Sequence, residues 1–478
     1  MFRGSGRRAS GVCVIGVAGV VGVAGLGLSA GAQPAFSVTR VAQTGDAVAD
    51  DPGATISGIS EGTPTVEAGV LVFDADTVGG SGSGGSGASR LFRASAGGTI
   101  TTLVSEGTAS PGGYVYGPAL GAILAGGEVT WRDVSNGAFV RLPLGADPLA
   151  TEPTLVVEAG VTPIPRQPGE VFSASFDEHG FDGNAVLFEG RNSSGDEGMY
   201  RRQGSFINRI VDRNTPTPFV GGTGTIAGVD DPFIRDGQMA FLAGDTSSAR
   251  GILADFDDGL GLRPIAQAGD PMPGGTGSFN AFNEVSIEGD FAVFGGRRTS
   301  PNFDANVYLY QNSTGTLTAI ADETVQVPGE GTNFAGFEGN PSIAGGHVLF
   351  EATNTPLSVS GLFLYSIADG SLTAVVRVDD TFDGRVVSDF GTRGPAAGLG
   401  NQFGFRLEFD NGDEALYIIE IDEDCPADTN GDGLVTPADF TAWILAFNSQ
   451  AAACDQNGDG LCQPNDFSSF ILNYNAGC

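Results

Sequence analysis

One pattern constrains this chain more than any other. A short apolar segment running into a polar loop recurs seven times at nearly constant spacing. It reads Val41-Ala-Gln-Thr-Gly-Asp46, Leu103-Val-Ser-Glu-Gly-Thr108, Val156-Val-Glu-Ala-Gly-Val161 and Ile210-Val-Asp-Arg-Asn-Thr215, then Ile265-Ala-Gln-Ala-Gly-Asp270, Ile320-Ala-Asp-Glu-Thr-Val325 and Val375-Val-Arg-Val-Asp-Asp380. The intervals are 62, 53, 54, 55, 55 and 55 residues, and the long first one contains a Gly/Ser insertion over 79–89. Such a period marks one supersecondary unit that buries its apolar face against copies of itself.

The sixth unit shows what repeats. A Gly-rich loop, Pro328 to Thr332, leads to a short strand ending at Ile343. Gly345-Gly346 turns the chain into His347-Val-Leu-Phe-Glu351, a polar loop precedes Gly361-Leu-Phe-Leu-Tyr365, and Asp369-Gly370 makes the hairpin into Leu372-Thr-Ala-Val-Val376. An aromatic recurs in the second strand as Phe73, Trp131, Phe188, Phe241, Phe294, Phe350 and Phe405. Four strands per unit, with no helical period before residue 437, describe a β-propeller blade. After Val375 only three strands remain, ending in Ala415-Leu-Tyr-Ile-Ile-Glu420, while Phe36-Ser-Val-Thr-Arg-Val41 supplies a fourth from the other end. The expectation is a mainly-β, seven-bladed propeller closed by the N-terminal strand, which removes two exposed sheet edges. Tandem β-sandwiches and an open β-solenoid are the alternatives.

Composition narrows the partners. The 478 residues carry 57 acidic and 23 basic side chains, all of the latter arginine, for a formal charge of −34. That acidity repels phosphate backbones and excludes nucleic acid as a partner. With two histidines, His179 and His347, no multi-histidine zinc or copper site can form. Residues 1–32 read as a signal peptide: Arg3, Arg7 and Arg8, an apolar run from Gly11 to Leu28, and Ala30-Gly31-Ala32 before a cleavage point at Gln33. An uncleaved N-terminal anchor is the rival reading. Removing three arginines and no carboxylate takes the charge from −34 to −37. No later segment is long and apolar enough to span a bilayer. The expected location is therefore secreted or at the extracellular cell surface. The expected domains are 33–423, the repeats, and 424–478, a small module of different character.

That module carries the clearest chemistry. Asp428-Thr-Asn-Gly-Asp-Gly-Leu-Val-Thr-Pro-Ala-Asp439 places oxygen donors at loop positions 1, 3, 5, 9 and 12, with Gly at 6. The pattern returns 27 residues later as Asp455-Gln-Asn-Gly-Asp-Gly-Leu-Cys-Gln-Pro-Asn-Asp466. This is the EF-hand-type calcium loop with Asp at position 12. Two Ca2+ ions are expected. One takes Asp428, Asn430, Asp432, the Leu434 carbonyl, Thr436 and Asp439; the other takes Asp455, Asn457, Asp459, the Leu461 carbonyl, Gln463 and Asp466. Each loop opens a helix. Phe440, Trp443, Ile444 and Phe447, and likewise Phe467, Phe470, Ile471 and Tyr474, fall at the spacing of one helical face and predict a shared core. Cys425, Cys454, Cys462 and Cys478 predict two disulfides, with three pairings open.

Duplicated loops of this form, each followed by one helix, resemble dockerin type I repeats over Cys425 to Cys478. The resemblance implies a plug for a cohesin domain on a scaffold, or for an envelope protein. In that family the contact positions, just after loop position 9 and along the first helical turns, commonly hold Ser/Thr and basic residues. Here they hold Pro437-Ala438, Pro464-Asn465 and Trp443-Ile444, and no basic residue follows Arg406. The added cysteines resemble those of dockerin-like tails on secreted proteins of planctomycete-type bacteria, and the Gly-rich repeats are similar to repeats of such proteins.

A propeller can also host catalysis, and dockerin-bearing proteins are often polysaccharide-active glycoside hydrolases, which need two carboxylates. Asp177-Glu178-His179 and Asp230-Asp231 break the consensus of their repeats and are the best catalytic candidates; the bland reading is a charged loop. No G-x-S-x-G elbow or sialidase-like Asp box occurs, and Trp131 and Trp443 are the only tryptophans that could serve as sugar platforms. Pro273-Gly-Gly-Thr-Gly277 lacks the lysine of a phosphate-binding loop. The expectation is a calcium-binding protein that docks a propeller presenting a glycan or protein site, without assigned catalytic residues. A glycosidic-bond hydrolase and a structural surface-layer component are the alternatives.

Overall fold

The computed structural model describes residues 20–21, 36–60, 64–79, 90–173, 178–274, 277–298, 305–337, 341–354, 360–391, 398–421, 426–427, 429–430, 435–457 and 461–476. The chain divides into two compact units, Met1–Glu420 and Ile421–Cys478.

The larger unit is a seven-bladed β-propeller of seven antiparallel sheets in chain order. Blade five shows the plan: inner strand Phe279–Glu288, then Phe291–Arg298, Ala305–Gln311 and outer strand Thr316–Ala321. Glycine turns fold each strand back on its neighbour, and apolar residues every second position face the adjoining blades. The recurrent second-strand aromatics are all buried. Each stands opposite an apolar third-strand residue: Phe73 opposite Phe92, Phe188 opposite Tyr200, Phe294 opposite Tyr308, Phe350 opposite Phe363 and Phe405 opposite Tyr417. Ring centroids in these five pairs lie 5.4–5.9 Å apart. Cross-strand pairs of this kind are the unit of sheet stability.

The polar end of the repeated motif also has a structural reason. After the outer strand, a main-chain N–H donates to the side chain three or four residues on. Gln43 bonds Asp46, Gln267 bonds Asp270 and Arg377 bonds Asp380, while Glu158 bonds Thr162 and Asp212 bonds Thr215, all at 2.9–3.0 Å. These side chains set the turn that carries the chain to the next inner strand.

The core is divided among the interfaces between blades. One cluster joins blades four and five through Phe233, Ile252, Phe282 and Phe294, and the next joins five and six through Val293, Phe334 and Phe350. A further cluster gathers Val41 and Ala42 of the N-terminal strand, Leu416 and Ile418 of blade seven, and Ile56 and Leu71 of blade one. The seventh sheet runs inward from Phe36–Gln43 to Glu414–Ile421, Gln402–Phe409 and Arg385–Gly391, with Val20–Val21 paired outside Phe36–Gln43. The Thr44 N–H donates to the Glu414 carbonyl at 2.9 Å. Blades two and three meet so closely that a Cβ on Gly126 would stand 2.9 Å from the Gly183 Cα; φ is positive at both. Only glycine fits there.

The smaller unit has two helices, α1 (Pro437–Ser449) and α2 (Pro464–Ala476), with a short 3-10 turn at Ala452–Cys454 between them. Trp443 of α1 stacks on Phe470 at 5.3 Å and packs on Phe467 at 5.4 Å, and its indole N–H donates to the Cys454 carbonyl at 3.2 Å. Cys454 and Cys462 form a disulfide; Cys425 and Cys478 lie outside the described residues. Among the described residues no helix is long and apolar enough to cross a membrane.

Candidate functional site

The described positions of the two expected calcium loops are built alike. Thr436 caps the start of α1, and Asp439, three residues on, returns its carboxylate to the Thr436 N–H at 2.7 Å. This is the reciprocal capping box expected when an oxygen donor precedes a helix by three residues. The other Asp439 oxygen accepts from the Asn430 N–H at 3.1 Å. In the second loop Asp466 accepts from the Gln463 N–H at 2.7 Å, from the Asn457 N–H at 3.3 Å and from the Gln456 N–H at 3.0 Å. Loop positions 3, 9 and 12 thus meet in the same way in both copies. Asp439 and Asp466 are each 0 % exposed.

Buried carboxylates are costly unless their charge is met. The segment after Arg406 contains no basic side chain, so this unit supplies no guanidinium or ammonium of its own. Its donor set is made of carboxylate, amide, hydroxyl and carbonyl oxygens, which suits a hard cation such as Ca2+. Asn430, Thr436, Asp439, Asp455, Asn457, Leu461, Gln463 and Asp466 are the described members; Asp428, Asp432, Leu434 and Asp459 lie outside the described residues.

The repeat-breaking acidic residues of the propeller also come together. Glu178 precedes the inner strand of blade three (His179–Phe181), and Asp230 and Asp231 lie in the inner strand of blade four (Ile226–Arg235). Carboxylate oxygens of the three lie within 4.8 Å of one another. A register shift between Asp230 and Phe233 puts Asp231 in a bulge with φ 49°, and a second shift in blade five does the same for Glu284. Bulges re-aim side chains out of the strand's alternation. Asp231 here accepts from the Glu284 N–H at 3.2 Å and donates its own N–H to Asp230 at 3.2 Å. The carboxyl of Glu178 is raised above the ordinary range by loss of solvent and then by the Asp231 and Asp230 charges. Asp231 is raised as well, again chiefly by loss of solvent. Three carboxyls so close share protons as a set. They can donate a proton at one oxygen while keeping charge on another, or surround a cation.

The other candidates separate from this group. His179 is buried, with Nε2 2.9 Å from the Thr130 hydroxyl and its ring 4.4 Å from Phe139. Burial pushes its pKa down to about 3, so it stays neutral and serves the contact between blades two and three. Asp177 lies outside the described residues. Neither tryptophan can be a sugar platform: Trp131 is wholly buried in the blade core, and Trp443 lies between α1 and α2. Reasoning from sequence missed Arg235, a 5 % exposed guanidinium at the end of an apolar inner strand. Its signal is a basic residue where blades two and six carry Ala125 and Ala344 before a Gly-Gly turn.

Among curated proteins none matches this chain. Solved structures similar to it include an oligogalacturonate lyase in complex with manganese (13 % identity, 82 % of this chain and 95 % of that one, TM-score 0.44). A puromycin-hydrolyzing peptidase of Mycobacterium tuberculosis is another (13 %, 73 % and 49 %, TM-score 0.43). A third is the β-propeller domain of the Trilobed protease from Pyrococcus furiosus (8 %, 76 % and 95 %, TM-score 0.43). The family described as a family of unknown function (DUF7453) matches residues 24–392, and the chain belongs to that family.

Proposed function

We propose that this is an exported, calcium-binding protein whose dockerin-like tail docks or anchors a β-propeller that binds a glycan or protein. The observation that carries the reading is the pair of wholly buried carboxylates, Asp439 and Asp466, held by equivalent main-chain N–H groups in a segment without basic side chains. Two Ca2+ ions would add positive charge that the segment's own side chains do not carry and draw the loop oxygens together, which a unit with so small a core needs to stay folded. All six carboxylates of 425–478 fall at loop positions 1, 5 and 12, so calcium would neutralise most of that segment's charge. The proposed partner of the tail is a cohesin-like or envelope protein, met at the cell surface. Pairing of Phe36–Gln43 beside Glu414–Ile421 supports a ring closed by the N-terminal strand. Hydrogen exchange of the full chain tests the calcium dependence: EDTA should deprotect residues 435–476 and leave the strands of the blades protected. Tail exchange unchanged by chelation would count against the reading.

A second reading is favoured by the meeting of Glu178 with Asp230 and Asp231. A protonated carboxyl beside an ionised one is the equipment of glycosidic hydrolysis, one donating to the leaving oxygen and the other attacking or stabilising the sugar. Oxygens within 4.8 Å are closer than the roughly 6.5–9.5 Å that inverting enzymes leave for a water. Polysaccharide turnover by the full chain, abolished in Glu178→Gln and in Asp231→Asn, would establish this activity. Turnover unaffected by either substitution would remove it.

A further inference from the structure

The propeller axis holds a cavity of about 320 Å³ at the ends of the inner strands, bounded by blades one to five and seven. Among the described residues its charged lining consists of Glu67, Asp182, Asp236 and Glu288 with one guanidinium, Arg235, so carboxylates outnumber cations four to one there. We propose that this axial cavity binds an extended organic cation of the diamine or polyamine class.

Glu67, Asp182 and Glu288 each accept a main-chain N–H of the neighbouring blade, and Asp236 follows the inner strand of blade four, exposed at the turn. Glu67 accepts from the Gly126 and Gly127 N–H groups, each at 2.8 Å, while Asp182 accepts from the Asn184 and Ala185 N–H groups of its own turn at 2.9 and 2.7 Å and, at its other oxygen, from the Gly237 N–H at 3.1 Å. Glu288 accepts from Arg235 at 2.9 Å and from the Gly346 N–H at 3.3 Å. A carboxylate has about four acceptor positions, so one held by two or three such bonds still has a lone pair to offer, and a fixed acceptor costs little to organise on binding. Arg235 forms the floor: it also donates to the Ile343 carbonyl at 2.6 Å and to the Gly398 carbonyl, tying blade four to blades six and seven. Its charge is shared by Glu288, two carbonyls and the adjacent Asp236, and Arg141 stands near Asp182, yet the described lining itself keeps four carboxylates to one guanidinium.

The shape of the charge selects the ligand. An inorganic ion wants oxygens converging on one point. Among the described residues only Glu178, Asp230 and Asp231 converge that closely, so the axial carboxylates are spread around the mouth. Between them lie apolar walls from Ile123, Leu124, Phe181 and Leu399. Separated negative groups joined by apolar walls match ammonium groups separated by methylene chains, and anions are repelled.

Spermidine binding to the full chain, measured by calorimetry in saturating Ca2+ so that the tail loops are filled, tests the proposal. One site per chain is expected. Asp236 has φ 49°, a conformation asparagine tolerates, so Asp236→Asn should keep the fold and weaken binding about tenfold or more. Leu399→Trp should block the cavity, while Asp410→Asn, on the exposed surface, should leave binding unchanged. The proposal fails if spermidine does not saturate, if Asp236→Asn binds as tightly as the parent, or if several spermidines bind and Mg2+ displaces them all.

Discussion

His179 shows how one buried residue ties this protein's stability to pH. Its pKa, about 3 in the folded protein, lies below the unfolded value near 6.5. As pH falls through 6.5 the unfolded chain takes up a proton that the folded chain refuses, so stability is lost in that window. Between pH 7 and pH 5 the loss is about 2 kcal/mol. His179→Gln can still bond the Thr130 hydroxyl but does not titrate. Urea unfolding at both pH values should therefore show a smaller acid loss in the variant by about that amount. Equal losses in both proteins would contradict a neutral buried imidazole. Asp439 and Asp466 are the wholly buried carboxylates of the smaller unit, in a segment without basic side chains. Their loop positions were plain in the sequence, because a twelve-residue oxygen pattern repeated at 27 residues has few other meanings. Their second duty, closing the helix-capping arrangement, appears only when Thr436 and Gln463 are seen donating to them.

The strands were legible for a physical reason. Alternation, glycine turns and one aromatic per unit leave little choice of where each second and third strand lies. Thus His347–Asn354 and Ser360–Ser366 form where the pattern places them. Irregularities of the inner strands were not legible. In blade six the inner element is split into Phe334–Phe337 and Ser342–Ala344, and in blade four a bulge turns Asp231 toward Glu178. Nothing in local propensity says which residue will be squeezed out of register, because the neighbouring blade decides it. The cross-strand aromatic pairs should dominate the stability of a blade. Phe294, fully buried against Tyr308 and Phe282, should cost about 3–5 kcal/mol when changed to alanine. Leu260, 76 % exposed in a turn, should cost within about 0.5 kcal/mol on the same change. Thermal unfolding of the two variants separates them, and similar midpoints would refute the role given to the aromatic pairs.

At the scale of the whole molecule, two units answer to different supports. The propeller is held by apolar clusters shared between neighbouring sheets, and the repeat of about 55 residues announced that architecture without revealing its axial cavity. Glu67, Asp182, Arg235 and Glu288 come from four separate repeats, so their meeting depends on the ring and not on any local motif. If the N-terminal strand closes that ring, deleting residues 33–43 should bare the edge of Glu414–Ile421 and cause concentration-dependent association in sedimentation. A variant that stays monomeric would argue against closure by this strand. For the smaller unit the proposed support is Ca2+ at both loops. Calorimetric titration of the chelator-treated full chain with Ca2+ tests it most directly. Two Ca2+ per chain are expected, falling to one in Asp439→Asn or Asp466→Asn and to none when both are changed. A parent chain that takes up no Ca2+, or a double variant that still binds two, would contradict it.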